Sequence, residues 1–155
     1  MRLRYTLPAL ADLDQILDYI VSRSPQGARN VQARIRTVID QLQLGKAVLV
    51  FPEGERTLTG SMQPLKPGVH LLIKWTKAPI IPVGIAGAYD AWPRWRSYPI
   101  PAPLFWPPNK GTIAVSIGRP LDANRFASLP RARALQELFD EIEAVQRRAE
   151  KLRRQ

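Results

Sequence analysis

Apolar positions along this chain recur in two periods, and the switches between them mark out its elements. Arg2-Leu3-Arg4-Tyr5-Thr6-Leu7 alternates polar and apolar side chains and predicts a half-buried strand, stopped at Pro8. From Ala9 to Val21 the period becomes helical, with Leu13, Ile16, Leu17 and Ile20 on one face and Asp12 and Asp14 in the first turn, where the helix dipole favours acids. Ser24-Pro25-Gln26-Gly27 reads as a turn, and a second helix follows from Ala28 to Leu44 with Val31, Ile35, Val38, Ile39 and Leu42 on its apolar face. Gly45 can close that helix in the left-handed conformation, with Lys46 near the negative end of the dipole.

The run Ala47-Val48-Leu49-Val50 is short, apolar and ended by Pro52 and Gly54, the pattern of a strand buried in a parallel sheet. A short helix is expected over Leu65 to Lys74, with Val69, Leu72, Ile73 and Thr76 on one side, before a second buried strand at Pro79 to Ala86. Strand, helix and strand in that order predict a βαβ unit with parallel strands and a right-handed crossover. Thr112 to Gly118 alternates as a third strand. Ser128 is placed to cap a last helix with Pro130 in its first turn and Leu135, Leu138, Phe139, Ile142 and Val145 on its apolar face, fraying at Lys151-Leu152-Arg153-Arg154. The expected fold class is α/β: a partial, mostly parallel sheet with a βαβ unit and flanking helices.

Composition narrows what such a fold can do. At 155 residues the chain is long enough for one domain with a real core. It has no cysteine, which excludes disulfides and thiolate chemistry, and one histidine, His70, which excludes a multi-histidine metal site. No apolar run approaches the ~20 residues that span a bilayer, and the N-terminus has no signal-peptide core, so the expected compartment is the cytoplasm, with a peripheral position on the inner membrane face left open. The net charge of +10 favours anionic partners. Its largest share lies in residues 45–130, where ten basic residues face four acids, and not in a separable tail. Phosphates and an anionic membrane surface therefore fit better than nucleic acid, and the arginine-rich C-terminus reads as a solvated helix end.

Candidate chemistry gathers where the first buried strand ends, at Phe51-Pro52-Glu53-Gly54-Glu55-Arg56-Thr57. Ligands of open α/β sheets bind beyond the carboxyl ends of strands. A polar turn with two carboxylates and a guanidinium at such a strand end reads as a candidate site, with a solvated turn as the alternative. Trp92, Trp95 and Trp106 are interleaved with prolines, Arg94 and Arg96. That stretch suits a lipid headgroup interface or acyl contact, and equally a packed loop over a sheet edge. His70 reads as a helix-packing residue.

Two resemblances follow from these stretches. Residues 1–42, through Arg4-Tyr5-Thr6, Ala9-Leu10-Ala11-Asp12-Leu13, Ile16-Leu17-Asp18-Tyr19-Ile20, Ser24-Pro25 and Ala33-Arg34-Ile35-Arg36, resemble the N-terminal half of the RelE/ParE toxin superfamily. From Leu44 onward, Phe51-Pro52-Glu53-Gly54-x-Arg56 and Pro79-Ile80-Ile81-Pro82-Val83 resemble the third and fourth motifs of the PlsC-like glycerolipid acyltransferases. Leu65-Lys66-Pro67-Gly68, Gly87-Ala88-Tyr89-Asp90-Ala91-Trp92-Pro93 and Ile117-Gly118-Arg119-Pro120-Leu121 support this second likeness. It implies acyl transfer from acyl-CoA or acyl-carrier protein, as co-substrates and not resident cofactors, to glycerol 3-phosphate or a lysophospholipid. It also implies that four residues bind substrate: Arg56 as a planar fork of donors for a phosphate, Gly54 by letting the backbone come close and turn its N–H groups toward the anion, Glu53 by orienting Arg56 or holding a glycerol hydroxyl, and Lys66 as a second cation.

The family's base lies in a His-x-x-x-x-Asp motif N-terminal to the third, and this chain lacks it: five residues after His70 stands Trp75. The chain so read is a toxin-like segment, 1–43, joined to the C-terminal part of an acyltransferase, 44–155, and packed as one unit. It would bind phosphate without turnover of its own, no residue being assigned a catalytic role. A complementing acyltransferase half is a partner this would admit, and the alternatives are a toxin-like module or a module for anionic membrane surfaces.

Overall fold

The structure, a computed structural model of the chain, describes residues 25–99 and 111–154. The expected strand at Arg2–Leu7 and helix at Ala9–Val21 lie outside them, as does Trp106. Seven elements follow in order: α1 (Pro25–Gln43), α2 (Gly68–Thr76), β1 (Val83–Ala86), α3 (Ala88–Ala91), β2 (Ala114–Ile117), α4 (Ala123–Ala127) and α5 (Arg131–Arg153). The chain divides into two compact units, one of residues 1–50, 66–78 and 122–135, the other of residues 51–65, 79–121 and 136–155.

The first unit is helical. α1 ends as its sequence dictates: Gly45 has φ +74°, its N–H donates to Leu42 O at 3.0 Å, and the Lys46 N–H donates to Gln41 O at 3.1 Å. This paired arrangement satisfies the last carbonyls of the helix. α2 packs against α1 and α4. Its buried side is His70, Leu71 and Ile73, one step round from the expected Val69, Leu72, Ile73 and Thr76, and it meets a core that includes Ile35, Ile39, Ala123 and Phe126. The sequence pattern misses α4. Asp122 caps it by accepting the Asn124 N–H at 2.9 Å. Ser128 ends α4 instead of starting α5, its hydroxyl donating to Arg125 O at 3.0 Å. Pro130 precedes α5, its carbonyl accepting the Ala134 N–H at 2.9 Å.

The second unit holds the sheet of the described residues, and here the expected fold class is overturned. Among the described residues the fold is mostly helical, with one two-stranded antiparallel sheet in place of a mostly parallel one. β1 pairs with β2 in the register Val83↔Ile117, Gly84↔Ser116, Ile85↔Val115 and Ala86↔Ala114, continued by a bridge between Ile80 and Leu121. No βαβ unit forms, because Ala47–Val50 is not a strand: Leu49 is 72% exposed and the segment enters no ladder. An apolar run becomes a strand only where a neighbouring backbone takes up its N–H and C=O groups, and composition cannot supply that neighbour. Pro82, which has no N–H to give, limits β1 at its start and instead accepts the Gly118 N–H at 2.8 Å.

One face of the sheet lies on α5 at very short range. A methyl group on Gly84 would collide with the backbone of Val145 and Gln146, and one on Gly118 would meet Pro82 and Val145. The lack of a side chain at Gly84 lets strand and helix backbones touch. Ile85, Val115 and Ile117 are exposed. Gly84→Ala should therefore destabilise the protein by about 1–3 kcal/mol through overpacking. A urea unfolding curve would show it, and an unchanged midpoint would contradict the close approach.

Candidate functional site

The second unit encloses a cleft of about 750 Å³. Three segments build it: the loop from Phe51 to Met62, the stretch from Ile85 to Arg94 that leaves β1 and turns through α3, and one side of α5 from Phe139 to Arg153. Phe51, Met62, Ile85, Trp92 and Phe139 give it apolar walls, and Arg56, Arg94, Arg147 and Arg153 give it positive charge.

The loop is held by its own polar groups. Phe51 O accepts the Gly54 N–H at 3.0 Å, closing a turn in which Gly54 has φ +75°, a conformation that costs glycine nothing. The expected role of Gly54 is thus altered, since its own N–H is committed to this turn. Glu53 Oε2 accepts the Gln63 N–H at 2.6 Å and ties the two ends of the loop together. Thr57 Oγ1 accepts the N–H groups of Thr59 at 3.2 Å and Gly60 at 3.1 Å. Across the cleft, the Tyr89 hydroxyl donates to Leu58 O at 3.0 Å, and its ring lies 3.0 Å from where a Cβ on Gly60 would stand, tighter than ordinary contact.

Ion pairs take up most of the charge. Arg94 pairs with Glu55 at 3.3 Å, Arg147 with Glu143 at 3.4 Å, and Arg153 with Asp90 at 2.6 Å and Glu150 at 3.6 Å. Arg56 differs: among the described residues its partner is an aromatic ring, the guanidinium carbon lying 5.1 Å from the centre of Trp92. The indole N–H of Trp92 donates to Arg96 O at 2.8 Å.

Of the residues singled out in the sequence, Glu53, Arg56 and Trp92 come together around the cleft, and Gly54 shapes its loop. Lys66 belongs to the other unit and does not line the cleft. Trp95 stands 70% exposed outside it, its ring edge-on to Tyr89 at 5.6 Å. Tyr89, Asp90 and Arg153 are contributors that sequence reasoning misses. The first two lie in Gly87–Pro93, a stretch noted for its likeness to a family and in which only Trp92 is given a role. Arg153, expected to fray, is 15% exposed and donates from Nε to Thr112 O at 3.0 Å. Among the described residues no cluster of acids and histidine could hold a metal ion, and no helix is long and apolar enough to cross a membrane.

Comparison with known proteins bears on these residues. A family model described as Acyltransferase matches residues 5–86. A 1-acyl-sn-glycerol-3-phosphate acyltransferase from Cocos nucifera is 36% identical over 59 residues, which make up 37% of this chain and 19% of that one. The matched stretch is thus about a fifth of that relative's length. No solved structure matches the chain. The family match begins at Tyr5, so it runs through the segment whose residues resemble a toxin. The expectation of two joined families is overturned, and with it the placement of the acyltransferase likeness at 44–155: one family accounts for the N-terminal half, Phe51–Arg56 and Pro79–Val83 included.

The Glu53 staple has a direct consequence. Replacing Glu53 with Ala should speed hydrogen exchange at the Gln63 amide by about tenfold, the worth of one charge-assisted hydrogen bond. Exchange-detected NMR reads this residue by residue, and an unchanged Gln63 rate would show that the carboxylate does not hold the loop.

Proposed function

Because this chain belongs to the acyltransferase family through its match over residues 5–86, we propose that its cleft binds the phosphate of a glycerolipid, with Arg56 as the phosphate-binding residue. One observation carries the reading: Arg56 lines the cleft while the other guanidiniums there are in ion pairs. A planar guanidinium with uncommitted donors is the side chain best matched to a phosphate's oxygens. The coconut relative supports the choice of ligand, since its name contains 1-acyl-sn-glycerol 3-phosphate. The walls agree, because Phe51, Met62, Ile85 and Phe139 offer an acyl chain apolar surface beside the charge. Glycerol 3-phosphate is the simpler ligand of the same kind. In this reading Glu53 and Gly54 shape the loop and Lys66 has no part.

Acyl transfer asks for more than binding. The attacking hydroxyl needs a general base, worth about 10²–10⁴ in rate. The histidine of these 155 residues, His70, is buried in α2 of the first unit, with Trp75 where an orienting acid would stand. The chain on its own is therefore a binder of glycerolipid phosphate without significant turnover, and a base supplied from elsewhere would be needed to complete the reaction with acyl-CoA or acyl-carrier protein.

Calorimetry with a short-chain lysophosphatidate tests this. Arg56→Ala should weaken binding about 10- to 100-fold, the loss of a charge-assisted contact, with Arg56→Lys in between because a lysine keeps the charge but not the fork. Lysophosphatidate should bind at least about tenfold tighter than glycerol 3-phosphate, what two buried methylenes are worth. Equal affinity in wild type and Arg56→Ala would overturn the site. Acyl-CoA consumption by the wild type that Arg56→Ala abolishes would overturn the claim of binding without turnover.

A further inference from the structure

We propose that Trp92 is the positioning residue for Arg56, an indole platform that aims the guanidinium without using its hydrogen-bond donors; the proposal rests on the phosphate reading of the cleft. A long arginine side chain must be held still to bind a ligand tightly, and proteins commonly do this with a carboxylate. A carboxylate, however, occupies the same in-plane N–H groups that a phosphate requires. An aromatic ring takes the guanidinium on its flat face and leaves the edge donors outward. Here the guanidinium carbon of Arg56 is 5.1 Å from the centre of the Trp92 ring. The acids closest in sequence have other engagements: Glu55 with Arg94 at 3.3 Å, and Glu53 with the Gln63 N–H at 2.6 Å.

The platform is itself fixed. The indole N–H of Trp92 donates to Arg96 O at 2.8 Å, and the backbone N–H donates to Ala88 O at 2.9 Å, which closes α3. The turn that carries it is anchored on both sides. Tyr89 reaches Leu58 O on the loop that bears Arg56, and Asp90 is paired with Arg153 at 2.6 Å. Trp92 thus has a defined orientation relative to the loop, although 46% of its surface is exposed. It sets the direction of the residue that meets the phosphate.

A double-mutant cycle on the full chain, read by calorimetry with glycerol 3-phosphate, tests this. Trp92→Ala should weaken binding roughly two- to fivefold in the wild-type background, Trp92→Phe should restore most of the loss, and Trp92→Ala should have no further effect once Arg56 is Ala. Equal loss in both backgrounds would overturn the proposal, because Trp92 would then act on the ligand or the fold and not through Arg56. If Arg56→Ala leaves binding unchanged, or the wild type does not bind, the phosphate reading fails. The pairing is then judged from the Arg56 Nε–H proton in ¹H–¹⁵N NMR. Ring current should displace that resonance in the wild type and not in Trp92→Ala. A resonance at one position in both would overturn the proposal independently. Matching urea midpoints for the variants would establish that the fold is kept.

Discussion

The side chain of Arg153 sits where three segments of the second unit converge. Its Nε donates to Thr112 O just before β2, and its terminal nitrogens reach Asp90 in α3 and Glu150 one turn back in α5. Gly87, at φ +81°, has no room for a side chain because that guanidinium and the Thr112 carbonyl fill the space. What hangs from this junction is the polar half of the cleft. α3 presents Tyr89 to Leu58 O and leads into Trp92, whose ring centre lies 5.1 Å from the guanidinium carbon of Arg56. A buried or half-buried arginine is costly unless its donors are filled, and here the carbonyl and carboxylates fill them.

Beneath this junction, β1 and β2 lie on α5 through Gly84 and Gly118, and that contact places the end of β1, with Ile85 and Ala86, in the floor of the cleft. The pattern fits a site whose rigid parts are a helix and a short hairpin-like pair and whose variable part is a loop. That loop is not slack. Glu53, Thr57 and the turn at Phe51–Gly54 give it internal hydrogen bonds, and the Tyr89 hydroxyl ties its middle to α3.

How much of this the chain announces depends on how local each feature is. The end of α1 is legible because Gly45 and Lys46 close it with bonds to Leu42 and Gln41, all within one turn. α5 is legible from its long 3.6-residue period. The sheet is not, since strand pairing is a choice among distant segments. Ala47–Val50 has strand-like composition and finds no ladder, while Val83–Ala86 pairs with Ala114–Ile117 and not with the segment before α2. Caps mislead where two candidates sit close together, as Asp122 and Ser128 do on either side of α4. At the site, Glu53, Arg56 and Trp92 each stand out by type. That Arg56 would lie on Trp92, or that Arg153 would hold the turn between, depends on contacts across the chain that no spacing encodes. Membership of one family, reaching from residue 5 to residue 86, likewise becomes plain only by comparison, because the first forty residues carry a sequence pattern that other families share.

The proposed binding of a glycerolipid phosphate in the cleft beside Phe51–Thr57 is tested by chemical-shift mapping of the ¹⁵N-labelled chain during a titration with short-chain lysophosphatidate. Saturable shifts should centre on the Arg56 side chain, the Trp92 indole N–H and the amides of residues 53–60 and 85–92, with the α1 and α2 amides unmoved. Shifts that do not saturate, or that centre on residues away from the cleft, would contradict it.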